Sequence, residues 1–303
     1  MSRSLWTNME IEGATKAHTN GRKWSAAGVS IDSRKVQPKD IFIAFRGSRV
    51  DGHCYVADAF KKGAAAAIVE RKIDGLSEES PVLIVANVQK ALVQIACLAR
   101  KRSEAKFVAV TGSVGKTSSK NLLAKALAQF DSVHATIGNL NNHIGAPLSL
   151  ARLNGSSRFA VFELGMNNTG EIAFLSNLIR PKVALITNVH GVHLEQLKTE
   201  RAIAEAKAEI FNGLSENGSV VLNQDNPWID FLKSRAEKKG IKNIITFGED
   251  KKSDVQLLEW QPGEGKSFVK IQLKNEAHQY VLSETGKHRA LNSVGVLAVV
   301  HAL

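Results

Sequence analysis

At 303 residues, with 44% apolar and 23% charged, the chain exceeds one typical domain and can bury sizeable cores, which excludes a disordered or fibrous protein and makes two domains the expectation. Lys and Arg total 40 against 29 Asp and Glu, a formal charge of +11 that favours anionic ligands; with aromatics at 6% and no zinc-finger or RNA-binding aromatic motif, phosphorylated small molecules suit that charge better than nucleic acid. No window approaches the roughly twenty apolar residues of a membrane helix, the amino terminus lacks a signal-peptide core, and Cys54 and Cys97 have no metal-ligand spacing, so a cytoplasmic protein with reduced thiols is expected.

In chain order, residues 40–45 (DIFIAF) read as a strand, residues 55–62 as a helix stopped by Gly63, and AAAAIVE and PVLIVAN as further strands. A helix over 89–102 closes this unit, with Leu92, Val93, Ile95, Ala96 and Leu98 as its buried face, and KRSEAK beyond it reads as a hinge. From Phe107 a second unit begins, in which FAVFELG, VALITNV, VVLN and NIITFG alternate with helical segments, the signature of a mostly parallel sheet wrapped by helices. VQLLEW, SFVKIQL and QYVLSE read as antiparallel hairpins attached to it, and residues 291–303 as a final helix without cap or polar tail, an ending that suggests a fragment. The expected division is 1–104 and 105–303.

Residues 107–127, FVAVTGSVGKTSSKNLLAKAL, carry the strongest chemical signal. A short apolar strand leads into a turn loosened by Gly112 and Gly115, and an amphipathic helix starts at Thr117. Such a turn aims backbone N–H groups and the positive end of a helix dipole at one spot, the arrangement that grips phosphate. Lys116 is then expected to reach the β- and γ-phosphates of a nucleoside triphosphate and the Thr117 hydroxyl to bind Mg2+. The common phosphate-loop pattern needs glycine where Val110 stands, so this is a T-G-x-x-G-K-T variant.

In open parallel sheets ligands bind at the carboxyl ends of strands, and two further strands end on polar groups. FAVFELG carries Glu163 in an apolar setting, and VALITNV is followed by His190 and His193. A carboxylate and a hydroxyl suit Mg2+, whereas imidazole is a less natural ligand for it, so His193 reads as polarising a phosphate or filling a second metal site and His190 as an ordinary loop histidine. A helix over 199–212, capped by Thr199 and stopped by Gly213, presents Lys207, on sequence alone an exposed helical lysine.

These motifs resemble those of the Mur ligases, ATP-dependent amide-bond-forming enzymes of bacterial peptidoglycan synthesis, and within that family the MurF type. The resemblance covers nearly the whole chain. IDSRKVQPKDIFIAFRGSRVDGHCYVADAFKKGAAAAIVE is similar to the uridine-nucleotide-binding domain, TGSVGKTSSK to the family's phosphate loop, and GNLNNHIGAPLSLARL with ELGMNNTGEIAFL to the MurF type. The implied fold is α/β, a small uridine-nucleotide-binding domain followed by a mostly parallel-sheet, ATP-binding central domain. The implied nucleotide-binding residues are Thr111, Gly112, Ser113, Val114, Gly115, Lys116, Thr117 and Ser118, with Asn141 and Asn142 near nucleotide or substrate and Asn292 near the adenine. Arg289 stands where the family usually has another asparagine. Thr117, Glu163, His193 and Lys207 fall at metal-binding positions, Lys207 at a lysine that many Mur ligases carbamylate, and Lys116, Glu163, His193 and Lys207 are the implied catalytic set. Ser33, Arg34, Asp51, Gly52 and His53 occupy the uridine-domain motifs, with turn and cap roles as the alternative.

The activity so implied joins D-alanyl-D-alanine to UDP-MurNAc-tripeptide through an acyl phosphate, using ATP and Mg2+, in a monomer with no nucleic-acid partner. The family's third domain would follow residue 303, so this chain by itself is expected to bind nucleotide but to be weak or inactive as a ligase. The alternatives are a nucleotide-binding module without ligase activity, a MurE-like amino-acid-adding ligase, a small-molecule kinase, and a nucleic-acid-binding NTPase.

Overall fold

Short β-branched runs alternating with helices build two α/β units in a computed structural model that describes residues 4–47, 50–191 and 199–303. The first unit contains residues 1–103 together with 147–155, the second residues 104–146 and 156–303. The linear division at residue 104 therefore misassigns 147–155, which pack with the first unit; Trp6 Nε1, for example, donates to the Ala151 carbonyl at 2.9 Å.

In the first unit β1 (Trp6–Thr7) pairs antiparallel with β3 (Ser25–Ala26), and a five-stranded sheet runs in the order β2-β7-β6-β5-β4. Its strands are β2 (His18–Thr19), β4 (Gly28–Ser30), β5 (Asp40–Ile43), β6 (Ala66–Val69) and β7 (Val82–Ile84); β4 to β7 are parallel and β2 is antiparallel at the edge. Helix α1 (Asn8–Thr15) starts with a capping box of Thr7 and Glu10, which satisfies two otherwise orphaned N–H groups. Helices α2 (Val56–Lys61) and α3 (Val88–Arg102) follow. The buried face of α3 is Val88, Ala91, Leu92, Ile95, Ala96 and Ala99, so Val93 and Leu98, expected inside, lie half-exposed. The face combines Val88, Leu92 and Ile95 with three small alanines at helical spacing, so Ala91 and Ala99 take buried positions in place of Val93 and Leu98.

The second unit is a nine-stranded sheet in the order β16-β15-β14-β13-β12-β11-β8-β10-β9. Its first strands are β8 (Lys106–Thr111), β9 (Val133–Ala135), β10 (Phe159–Glu163) and β11 (Val183–Ile186), followed by β12 (Ser219–Asn223), β13 (Asn243–Gly248) and β14 (Val255–Gly263), all parallel. Antiparallel β15 (Lys266–Leu273) and β16 (Glu276–Leu282) complete it. Its helices are α4 (Lys116–Leu127), α6 (Glu171–Ile179), α7 (Glu200–Ala208), α8 (Ile229–Lys238) and α9 (Lys287–Ala302), whereas α5 (Gly145–Ala151) falls mostly in the 147–155 segment of the first unit. Val108, Val110, Val161, Leu185 and Val221 are completely buried because helices cover the central strands on both faces, which is why those strands read as unbroken apolar runs. Helix α9 packs Val294, Ala298 and Val299 into the same core. Both cysteines are unpaired and exposed, and among the described residues no helix is long and apolar enough to cross a membrane.

Candidate functional site

The chain leaves β8 for the edge strand β9, returns through β10, and then crosses to β11 on the other side of β8. At such a reversal the loops beyond the carboxyl ends diverge and leave a crevice. Register places Glu163 at the end of β10 beside Val110, and Ile186 at the end of β11 beside Thr111, so three chain segments deliver side chains to one place.

The turn between β8 and α4 is shaped by the segment that follows β11. The Ser113 and Val114 N–H groups donate to the Asn188 carbonyl and Oδ1, both at 3.0 Å, and Thr187 Oγ1 donates to the Val114 carbonyl at 2.6 Å. Ser113 Oγ donates to the His190 carbonyl and accepts its N–H, each at 2.9 Å. His190 thus contributes backbone, and its ring is exposed, in keeping with a loop histidine. Gly112 has φ 152°, and a Cβ there would collide with Thr187 Oγ1; Gly115, the left-handed N-cap of α4, would place a Cβ 2.6 Å from Asn292 Nδ2. With the Ser113 and Val114 amides engaged by Asn188, the donors of this turn best set to meet an anion are the amides at the start of α4, which have no intrahelical acceptor.

Lys116 donates from Nζ to the Gly112 carbonyl at 2.8 Å and, more weakly, to that of Ser113 at 3.4 Å. Burial lowers its pKa, and the nearby Glu163 carboxylate opposes that shift. Glu163 is 1% exposed; Oε1 accepts the Asn141 side-chain amide at 2.8 Å, whereas Oε2 is buried with no hydrogen-bond partner among the described residues. Asn141 is itself held, its carbonyl accepting the Gly165 N–H at 2.9 Å. The Asn142 side chain accepts the N–H groups of Ile144 and Gly145 and caps α5, and Thr111 Oγ1 is engaged by the Leu164 carbonyl.

Lys207 corrects the sequence reading. It is buried at 2% exposure in α7, with no hydrogen bond or ion pair to the described residues, and burial, reinforced by the charge of Lys116, pulls its pKa down to about 7. The unfolded chain binds this proton up to the ordinary lysine value of 10.5, so between there and pH 7 the folded state holds fewer protons and stability rises with pH. Lys207→Met is expected to flatten that rise and to stabilise the protein near pH 7 by at least about 1 kcal/mol. Urea midpoints at pH 7 and pH 10 in CO2-free buffer measure it, and parallel pH profiles for the two proteins would refute it.

Two clefts meet at these groups. The larger, about 850 Å3, is lined by Gly115, Lys116, Thr117, Ser118, Asn139, Asn141, Glu163, Glu284 and Arg289. The smaller, about 280 Å3, is lined by Thr111, Gly112, Asn142, Glu171 and Lys207, and it shares Lys116, Asn139 and Asn141 with the first. Arg289 pairs with Glu284 at 3.0 Å on the rim of the larger cleft, while Asn292, one helical turn later, abuts Gly115. His193 lies outside the described residues. Among those described, no three His, Cys, Asp or Glu side chains gather as a metal-binding group. The orphaned Oε2 of Glu163, a residue that lines the same cleft as Thr117, nonetheless fits Mg2+, which takes one or two protein oxygens and fills its shell with phosphate and water.

Ser33, Arg34, Asp51, Gly52 and His53 lie in the first unit in turn and cap positions. Ser33 and Arg34 open a 3-10 turn capped by Asp32, with the exposed Arg34 guanidinium forked onto the Asp32 carboxylate at 2.9 Å. Asp51 caps the next such turn, and the buried His53 ring accepts the Glu70 N–H at Nε2, which leaves Nδ1 to donate to Asp51 at 2.6 Å. Sequence reasoning missed Asn139, Asn188, Thr187, Glu284 and Lys120. The last had a readable signal, since Ser119, Lys120, Leu123 and Leu127 share the buried face of α4.

Residues 110–300 match the Mur ligase middle domain, and residues 25–100 the Mur ligase family catalytic domain. The chain is 37% identical over 276 residues to a UDP-N-acetylmuramoyl-tripeptide--D-alanyl-D-alanine ligase from Rickettsia prowazekii, covering 91% of this chain and 61% of that protein. A crystal structure of MurF from Acinetobacter baumannii superposes with a TM-score of 0.88 at 30% identity, over 98% of this chain and 64% of that one. A MurF ligase from Thermotoga maritima, crystallised in complex with ADP, gives 0.78 at 30% identity, over 91% and 63%. The chain therefore spans less than two thirds of the length of each.

Proposed function

The chain belongs to the Mur ligase family, and on that footing we propose that it carries the nucleotide-handling part of a cytoplasmic ligase that joins D-alanyl-D-alanine to UDP-MurNAc-tripeptide with hydrolysis of ATP. The observation that carries this reading is one crevice lined by Lys116, the first turn of α4 and Glu163, a buried carboxylate one of whose oxygens has no hydrogen-bond partner among the described residues. A carboxylate acylates an amine poorly because oxide must leave. Transfer of the γ-phosphoryl group to that carboxylate gives an acyl phosphate, from which the amine displaces inorganic phosphate. The obstacle is electrostatic, since two anions must meet, and preorganised donors in a partly desolvated crevice address it.

In this reading the α4 amides and Lys116 bind the β- and γ-phosphates, and Asn141 orients Glu163 by donating to its other oxygen. Mg2+, held by Thr117 and Glu163 with His193 and Lys207 as further ligands, would offset the negative charge of the transferring group. Lys207 can serve as an oxygen ligand only after its amine nitrogen adds to CO2 and loses a proton to give a carbamate. A pKa near 7 supports that step, because much of the amine is unprotonated at neutral pH. Ser33, Arg34, Asp51, Gly52 and His53 belong to the uridine-nucleotide side of the proposal, with His53 and Asp51 shaping the turn and Arg34 reaching solvent.

Calorimetric titration of the chain with ADP, with and without Mg2+, and with UDP-MurNAc-tripeptide tests the two half-sites. Product analysis after incubation of the ligase containing this chain with ATP, Mg2+, UDP-MurNAc-tripeptide and D-alanyl-D-alanine tests the reaction. Phosphate and pentapeptide released together, and only with both acceptors present, are the expected result. Absence of ADP binding at millimolar concentration, or phosphate release that ignores the amine, would overturn the reading.

A further inference from the structure

Lys120 is among the largest fully buried side chains, at 2% exposure, yet it sits on the apolar face of α4 one turn beyond Lys116. A buried ammonium is costly unless it is paired, so its partners define its purpose. Nζ donates to the Thr136 carbonyl at 2.6 Å, and the Glu163 carboxylate is the charge it feels. Thr136, just past β9, is itself buried; its N–H donates to the Val161 carbonyl at 3.0 Å, and its Oγ1 lies 3.4 Å from the Glu163 N–H as an acceptor. Five residues further on, Asn141 returns to Glu163 through its side-chain amide.

We infer that Lys120 is a positioning residue for Glu163, a clamp that ties α4 to the 136–141 loop and so fixes the Asn141 amide that aims the carboxylate. The assignment rests on the reading of Glu163 as a Mg2+ ligand. An apolar residue would satisfy the buried face of α4 equally well but would leave the Thr136 carbonyl without its donor, which explains a lysine at a position where burial disfavours its charge. A mere counter-charge role makes the opposite prediction, because removing a cation beside the carboxylate would strengthen Mg2+ binding.

The test measures ADP binding by the chain across a Mg2+ titration for wild type, Lys120→Met, Asn141→Ala, the double variant, and Glu163→Gln as the reference. Each single variant is expected to raise the half-saturating Mg2+ concentration by about tenfold, as loss of an outer-shell partner does. Metal-free ADP affinity of Lys120→Met should change by less than about threefold, and the Mg2+ requirement of the double variant should be no worse than the larger single effect, because both act through one loop. An unchanged or lower Mg2+ requirement in Lys120→Met, or additive losses in the double variant, overturns the assignment. Should Lys120→Met fail to fold, an unchanged Mg2+ requirement in Asn141→Ala overturns it as well. A Glu163→Gln protein with the wild-type Mg2+ response would instead show that the reading of the crevice fails, and the assignment with it.

Discussion

Lys116→Ala is expected to slow ATP turnover by the ligase containing this chain by roughly 100- to 1000-fold, about 2.7–4 kcal/mol of transition-state stabilisation, the scale of losing one preorganised donor. The side chain is half-buried at the junction of the two clefts, its ammonium within reach of the loop carbonyls and its charge opposed to that of Glu163. The folded state gains little from it, because burial already disfavours its charge and its acceptors are backbone carbonyls at the cleft. Thermal stability should therefore change by less than about 1 kcal/mol while turnover collapses, and that separation is the diagnostic. Phosphate release under saturating substrates, alongside a melting curve, measures both quantities. Turnover within threefold of wild type would remove Lys116 from the reaction.

Gly112→Ala should produce the other large effect, by a different route. At φ 152° an L side chain is strained, and the added methyl would meet Thr187 Oγ1, the atom that holds the Val114 carbonyl. The collision cannot be relieved locally, because Thr187 is buried on the strand side and its carbonyl accepts from the Asn223 amide at 3.3 Å. A loss of about 2–4 kcal/mol is expected from combined backbone strain and overpacking, together with loss of ADP affinity as the loop is displaced. Gly13→Ala is the control, since a Cβ within α1 would meet nothing within 4 Å and should stabilise by about 0.5–1 kcal/mol. Urea unfolding of the three proteins decides the matter, and a Gly112→Ala protein as stable as wild type would mean that the turn has room the geometry denies it.

Much of the scaffold was legible because local physics writes it into the chain. The central strands appear as continuous apolar runs, the Thr199 side chain caps α7 by accepting the Ala202 N–H at 3.1 Å, and the Gly112 and Gly115 pair marks a turn where the backbone takes conformations other residues resist. The helix faces were harder to read. In α3 the eye falls on Val93 and Leu98, yet Ala91 and Ala99 are buried in their place. Polar partners were harder still: Asn141 and Glu163 are joined across 22 residues, and Ser113 and His190 across 77.

By itself the sequence determined the α/β class, the phosphate loop, and the identity of Lys116, Thr117 and Glu163 as the groups to weigh, because periodicity and turn chemistry act over a few neighbouring residues. Only the tertiary structure decided that Lys207 is buried and drawn toward neutrality, that Lys120 donates to the Thr136 carbonyl, and that one oxygen of Glu163 has no partner among the described residues. Desolvation and hydrogen-bond satisfaction depend on which distant segments meet, and no local pattern in the chain records that meeting.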